Sequence, residues 1–172
     1  PELAKQWDTE RNGSLRPDEI SPGSEKKIWW RCEQGHSWQA MPCSRTLHGN
    51  GCPVCTSRKI VAGINDLKTL APEIAAQWDL QKNAPLRPEQ VAQYSNRKVW
   101  WLCPKGHSYE MAVSSRTHRG RGCPFCSGKR ILPQENSLAA LRPDLAAQWD
   151  SMKNGQLKPE NVSCGFKRKV WW

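Results

Sequence analysis

Apolar positions along this chain come in short bursts, and the bursts themselves recur. Ile74, Ala75 and Trp78 follow Pro72 at the spacing of one helical face. A proline suits a helix's first turn because its missing N–H would be unpaired there anyway. Asn65 and Asn136 are placed as N-caps of a preceding helical turn that carries Leu67 and Leu70, or Leu138 and Leu141. Ala71 and Arg142 each precede a proline, where helical backbone is disfavoured, so a break is predicted between the two pieces. Asn12–Gly13 and Asn154–Gly155 signal turns. The β-branched and aromatic stretches 28–32 and 99–103 read as strands, with 36–41 and 107–113 as the returning strands of hairpins. Alternation along the first strand puts Ile28, Trp30 and Cys32 on one face and Lys27, Trp29 and Arg31 on the other.

The pattern is a tandem array. Residues 1–8 (PELAKQWD) recur as 72–79 (PEIAAQWD) and 143–150 (PDLAAQWD), an offset of 71 residues both times. Asn12, Asn83 and Asn154 stay in register, as do Leu15, Leu86 and Leu157, then Pro17, Pro88 and Pro159. The paired tryptophans Trp29–Trp30, Trp100–Trp101 and Trp171–Trp172 close the match. The expected division is repeat 1 over 1–71, repeat 2 over 72–142, and repeat 3 over 143–172, which ends before its first cysteine would fall due. The expected fold class is small α+β, with the units strung in series.

Composition bears on what holds such units together. Only 37% of the 172 residues are hydrophobic, so each unit has a thin core that needs a metal or disulfides. No apolar run approaches the roughly 18–20 residues that span a bilayer, and the opening residues carry no signal-peptide pattern. The eight cysteines are explained by their spacing. Cys32 and His36 are followed, after fifteen intervening residues, by Cys52 and Cys55; Cys103 and His107 are followed, again after fifteen, by Cys123 and Cys126. Two ligand pairs joined by a hairpin-sized spacer is what tetrahedral zinc requires, which favours metal in a reducing, cytoplasmic setting. Gly35 and Gly106 let the backbone curl so that its amides face sulfur. The expectation is two structural Zn²⁺ per chain, with iron–sulfur or a disulfide pair as alternatives. Cys43 aligns with Ser114, and Cys164 with Pro22 and Gln93, so both read as free thiols.

A catalytic zinc keeps an open position for water, whereas four protein ligands close the cage. No carboxylate recurs beside the sites, since Glu33 aligns with Pro104 and Glu110 with Gln39. His48 and His118 do not align with each other either. The chain is therefore expected not to be an enzyme.

The P-[ED]-[LI]-A-x-Q-W-D segment, the N-x-x-L-x-P turn, the W-W-x-C strand, then C-x-x-G-H and G-C-P-x-C together resemble the zinc-ribbon (treble-clef type) tandem-repeat family. The resemblance covers nearly the whole chain. It implies metal ligation by Cys32, His36, Cys52 and Cys55, and by Cys103, His107, Cys123 and Cys126. It further implies nucleic-acid binding, in arrays often found with nuclease domains of the very-short-patch-repair type.

The chain carries a net charge of +10, and its location is informative. Residues 26–60 sum to +5 and residues 97–131 to +7, so everything outside the two zinc modules sums to −2. A polyanion partner is the natural explanation. The candidate nucleic-acid contacts are Lys27, Arg31, Arg45, Arg58, Lys59, Lys98, Arg116, Arg119, Arg121, Lys129 and Arg130. Arg45 and Arg116 are the sharpest of these, on the loop before the second ligand pair, where a guanidinium could fork onto a phosphate. Trp7, Trp78 and Trp149 are expected in the core, with Trp30 and Trp101 shielding the metal. Trp29 and Trp100 either cover their own unit or stack on unpaired bases, packing being favoured. The expected function is a non-catalytic zinc module that binds nucleic acid, DNA before RNA, mainly through phosphates. The alternative is a protein-interaction or spacer array within a larger nuclease or defence-type protein.

Overall fold

A computed structural model of the protein describes residues 2–172; Pro1, which opens the first repeat motif, lies outside the described residues. In chain order the helices are α1 (Thr9–Asn12), α2 (Pro42–Thr46), α3 (Leu67–Leu70), α4 (Pro72–Ala75), α5 (Val113–Thr117), α6 (Leu138–Leu141) and α7 (Pro143–Ala146). The strands are β1 (Ile28–Arg31), β2 (Ser37–Ala40), β3 (Lys98–Leu102) and β4 (Ser108–Ala112). They form two antiparallel hairpins, with Trp30 opposite Trp38 in one and Trp101 opposite Tyr109 in the other. Both outgoing strands end one residue before the predicted limit. Cys32 and Cys103 have already turned, their N–H groups bonded to the carbonyls of His36 and His107 at 3.0 and 3.1 Å.

The helical pieces are single turns. The predicted break before proline is present: Ala71 and Arg142 sit at φ, ψ of −146°, 64° and −140°, 67°, outside the helical region. The caps differ from expectation by one residue. Asp66 and Ser137, not Asn65 and Asn136, accept the N–H of Thr69 and Ala140. The stretch read as loop after each hairpin forms α2 and α5, the first opened by Pro42.

Each repeat is assembled around tryptophan. Trp7 meets Trp30 edge to face at 5.7 Å, Trp78 meets Trp101 at 5.6 Å, and Trp149 meets Trp172 at 5.4 Å. Such pairs contribute about 0.5–1.5 kcal/mol beyond the area they bury. Five of these six indole N–H groups have acceptors: Trp7, Trp78 and Trp149 donate to the carbonyls of Leu15, Leu86 and Leu157. Trp30 and Trp101 donate back across their hairpins to Ala40 and Met111. The repeated asparagine does more than turn the chain. Asn83 gives its amide to the Trp100 carbonyl at 2.7 Å and takes the Trp100 N–H at 2.8 Å, so one side chain imitates a neighbouring strand. Asn12 does the same for Trp29, and Asn154 for Trp171.

The chain divides into two compact units, one running through Pro72 and including Pro88–Gln93, the other Glu73–Arg87 with Tyr94–Trp172. In the first, the 3-10 turn Pro88–Gln90 packs on α3, with the Leu67 N–H bonded to Val91 at 2.7 Å and Lys68 paired with Glu89. In the second, the 3-10 turn Pro159–Asn161 packs on α6 with Leu138 bonded to Val162 at 2.7 Å. Among the described residues no helix is long and apolar enough to cross a membrane.

Replacing Asn83 with Ala removes both bonds to Trp100 and exposes a strand edge. The expected cost is about 1–3 kcal/mol, read as a lower denaturant midpoint of the zinc-saturated protein. An unchanged midpoint would show that the clip is incidental.

Candidate metal centre

The hairpin and the chain after α2 bring four donors of the first repeat together. Gly35 at φ +79° and Gly106 at φ +83° make the first knuckle, a conformation that L side chains rarely adopt. The knuckle turns the backbone N–H groups of His36 and Gln34 toward the Cys32 sulfur, and those of His107 and Lys105 toward Cys103. The second knuckle is stapled from below. Asn65 donates to the carbonyls of Val54 and Lys59 while accepting the Val61 N–H at 2.7 Å. Asn136 repeats this with Phe125, Arg130 and Leu132.

In the first group the Cys32 sulfur lies 3.7 Å from Cys55 and 3.5 Å from His36 Nδ1, which lies 3.3 Å from Cys55 and 3.8 Å from Cys52. In the second group the same four separations, for Cys103, His107, Cys123 and Cys126, are 3.8, 3.5, 3.3 and 3.6 Å. A tetrahedral zinc with bonds of about 2.0–2.3 Å sets its donors about 3.5–3.8 Å apart. Sulfurs bridged by a disulfide would sit at about 2.05 Å, and all eight cysteines are unbridged. Two four-donor groups of three sulfurs and one nitrogen therefore fit two zinc ions. Cys43 and Cys164 belong to neither.

A family model described as a probable treble clef zinc finger domain matches residues 3–58, 74–129 and 145–172. The chain belongs to this family. An uncharacterized protein of Acanthamoeba polyphaga mimivirus is 25% identical over 194 aligned positions, which cover 95% of this chain and 45% of that protein. The chain thus spans about half the length of that relative.

The electrostatics of the treble clef sites call for a cation. Burial pushes the Cys103 thiol up, but hydrogen bonds from the backbone of His107 and Lys105 outweigh it and bring the group down to about 7. Burial and the neighbouring sulfurs of Cys123 and Cys103 push Cys126 up to about 11, and burial with the sulfurs of Cys32 and Cys52 pushes Cys55 up to about 12. Three converging sulfurs cannot all be charged without a counter-ion, and Zn²⁺ supplies it. Beside the second site His107 Nε2 meets the Glu135 carboxylate at 2.7 Å, which fixes Nδ1 as the nitrogen facing the sulfurs. Glu135 has no counterpart in the first repeat, where Ile64 stands in register, so the repeat pattern carried no signal for it.

The candidate nucleic-acid contacts separate into two sets. Lys27, Arg58, Lys59, Lys98, Arg119, Arg121, Lys129 and Arg130 are exposed, and none of them forms an ion pair among the described residues. Arg31 is held by Asp8 at 3.1 Å and Glu10 at 2.5 Å. Arg45 and Arg116 correct the reading from sequence: they are only 5% and 8% exposed. The Arg45 guanidinium lies over the rings of Trp30 and Trp38 at 4.4 and 5.0 Å and donates to Gln6 Oε1 at 2.6 Å. Arg116 lies over Trp101 at 4.9 Å and donates to Gln77 and to the Tyr109 hydroxyl. A guanidinium enclosed by aromatic rings cannot fork onto an external phosphate; both arginines are core residues. Trp29 and Trp100 are half-buried and each is capped by a cation of its own unit, Arg11 at 4.6 Å and Lys82 at 4.4 Å.

Two outcomes follow for the sites. Glu135→Gln should weaken zinc at the second site by about 10–100-fold and leave the first unchanged, as read by competition with a chelator of known affinity. Equal loss at both sites would contradict this. Because Cys55 and Cys126 hold their protons at neutral pH and must lose them to bind metal, apparent zinc affinity should rise with pH, about tenfold per unit for each proton displaced. A flat profile between pH 6 and 8 would contradict it.

Proposed function

We propose that the chain is a non-catalytic zinc module that binds nucleic acid, DNA in preference to RNA, mainly through its phosphates. The observation that carries this reading is the distribution of charge. The two zinc modules hold a surplus of +12 while the remainder of the chain is at −2. The exposed cations Lys27, Arg58, Lys59, Lys98, Arg119, Arg121, Lys129 and Arg130 form no ion pair among the described residues, so their charge is available to an external polyanion. Closed four-donor sites argue for structural rather than catalytic metal, since no position is left for a water on zinc. Contacts to phosphate position a protein without reading sequence, so binding is expected to discriminate little between sequences.

A titration of the zinc-loaded chain against single- and double-stranded DNA and RNA at several salt concentrations tests this. If each module neutralises two or three phosphates, log K should fall with log salt at a slope of roughly −4 to −5. Binding indifferent to salt, or no binding to any of the four, would contradict it. In the latter case a protein partner retained after nuclease treatment would support a docking array instead.

A further inference from the structure

We propose that a cleft of the first zinc module, between the hairpin and the second knuckle, is a phosphate-binding site, and that the second module, which keeps its donors in register, carries the same site. This rests on the nucleic-acid reading above and deepens it by assigning the contact to particular donors. In the first repeat the cleft has a volume of about 290 Å³ and is walled by β2 and by the chain approaching Cys52. Lys27, Ser44, Gly51 and Arg58 are among the residues that line it, and each carries a hydrogen-bond donor. Among the described residues no carboxylate lines it.

The donors are available. Lys27 has no hydrogen bond or ion pair among the described residues, and neither the Ser44 hydroxyl nor the Gly51 N–H has an acceptor there. Arg58 is held in place, because Nη1 donates to Asn50 Oδ1 at 2.8 Å, and its remaining N–H groups stay open to a ligand. Asn50 is itself fixed: its N–H bonds to the Ser44 carbonyl at 3.3 Å and its own carbonyl accepts from the buried Arg45 at 3.3 Å. Buried Arg45 therefore serves the cleft by setting its wall, not by touching the ligand. A phosphodiester, with acceptor oxygens only, is the complementary ligand for several donors and two positive charges lining one cleft.

The second repeat keeps the donor set in register. Lys98, Ser115, Gly122 and Lys129 stand where Lys27, Ser44, Gly51 and Arg58 do. Arg121, in place of Asn50, adds a cation, and Glu110, in place of Gln39, adds an acid. The Arg121 N–H makes the same bond to the Ser115 carbonyl, at 2.9 Å, that Asn50 makes to Ser44. Two cleft cations recur in each of two modules, whereas cations scattered for solubility need not repeat at the same positions.

The test uses the zinc-loaded full chain in three forms: the natural sequence; a cleft variant with Lys27→Gln, Arg58→Gln, Lys98→Gln and Lys129→Gln; and an equal-charge control with Lys158→Gln, Lys167→Gln, Arg168→Gln and Lys169→Gln. Each is titrated with duplex DNA across salt concentrations, and the natural chain is titrated with inorganic phosphate while its backbone amides are followed by NMR. The expected result is a loss of about tenfold or more in DNA affinity for the cleft variant, with a salt slope shallower by up to about four, and a small change for the control. Phosphate should shift the amides of Ser44, Gly51, Ser115 and Gly122. DNA binding by the natural chain with equal losses in both variants would overturn the cleft and leave the nucleic-acid reading standing. Phosphate shifts at those amides without DNA or RNA binding would support the cleft and overturn the nucleic-acid reading. Absence of both overturns both.

Discussion

One ion joining two knuckles that lie twenty residues apart is the constraint on which each complete repeat depends. The hairpin is short, the helices are single turns, and neither kind of element is stable alone in water. What fixes them is the convergence of three sulfurs and one imidazole nitrogen at tetrahedral separations. A structural zinc contributes an apparent binding free energy of about 10–16 kcal/mol in small peptides, as large as the net stability of about 5–15 kcal/mol typical of a whole domain. The knuckle glycines and the stapling asparagines Asn65 and Asn136 shape the chain around that ion, and Glu135 orients a ligand at one site only.

The remaining packing extends outward from the cage. Cys52 and Val54 of the second knuckle share a core with Trp7, Ile28, Trp30 and Trp38. Arg45 closes that core with its guanidinium against two indoles and its charge near the Cys52 sulfur, while burial pulls its proton affinity down. A zinc with three thiolates and a neutral imidazole leaves about one negative charge, and a buried guanidinium is a suitable counter-charge. Arg116 repeats the position with Tyr109 in place of Trp38, so its Nη1 gains a hydroxyl acceptor that Arg45 Nη1 lacks. Basic residues in these modules thus serve two purposes, enclosed ones balancing the cage and exposed ones facing solvent.

Repetition made much of this legible in the sequence. Eight cage ligands were separable from Cys43 and Cys164 because only the eight recur in register, and the hairpins followed from β-branched and aromatic runs leading into the knuckles. Burial of Arg45 and Arg116 was not legible, since a repeated arginine has the same pattern whether it meets a phosphate or an indole; the deciding partners, Gln6 and Gln77, lie 39 residues away along the chain. Asn12 and Asn83 were visible as repeated turn residues, but their bonds to Trp29 and Trp100 depend on how the chain folds back over the strand. The caps moved to Asp66 and Ser137 because Asn65 and Asn136 are committed to the second knuckle.

In the two complete repeats, metal binding and folding are one event. Zinc titrated into the metal-free chain, followed by near-ultraviolet circular dichroism of the tryptophans, measures this directly. Most of the fixed tryptophan signal should be missing without metal, the third repeat's Trp149–Trp172 pair being independent of it, and the signal should grow with zinc and saturate at two ions per chain. A full tryptophan signal in the absence of metal, or saturation at any other stoichiometry, would contradict it.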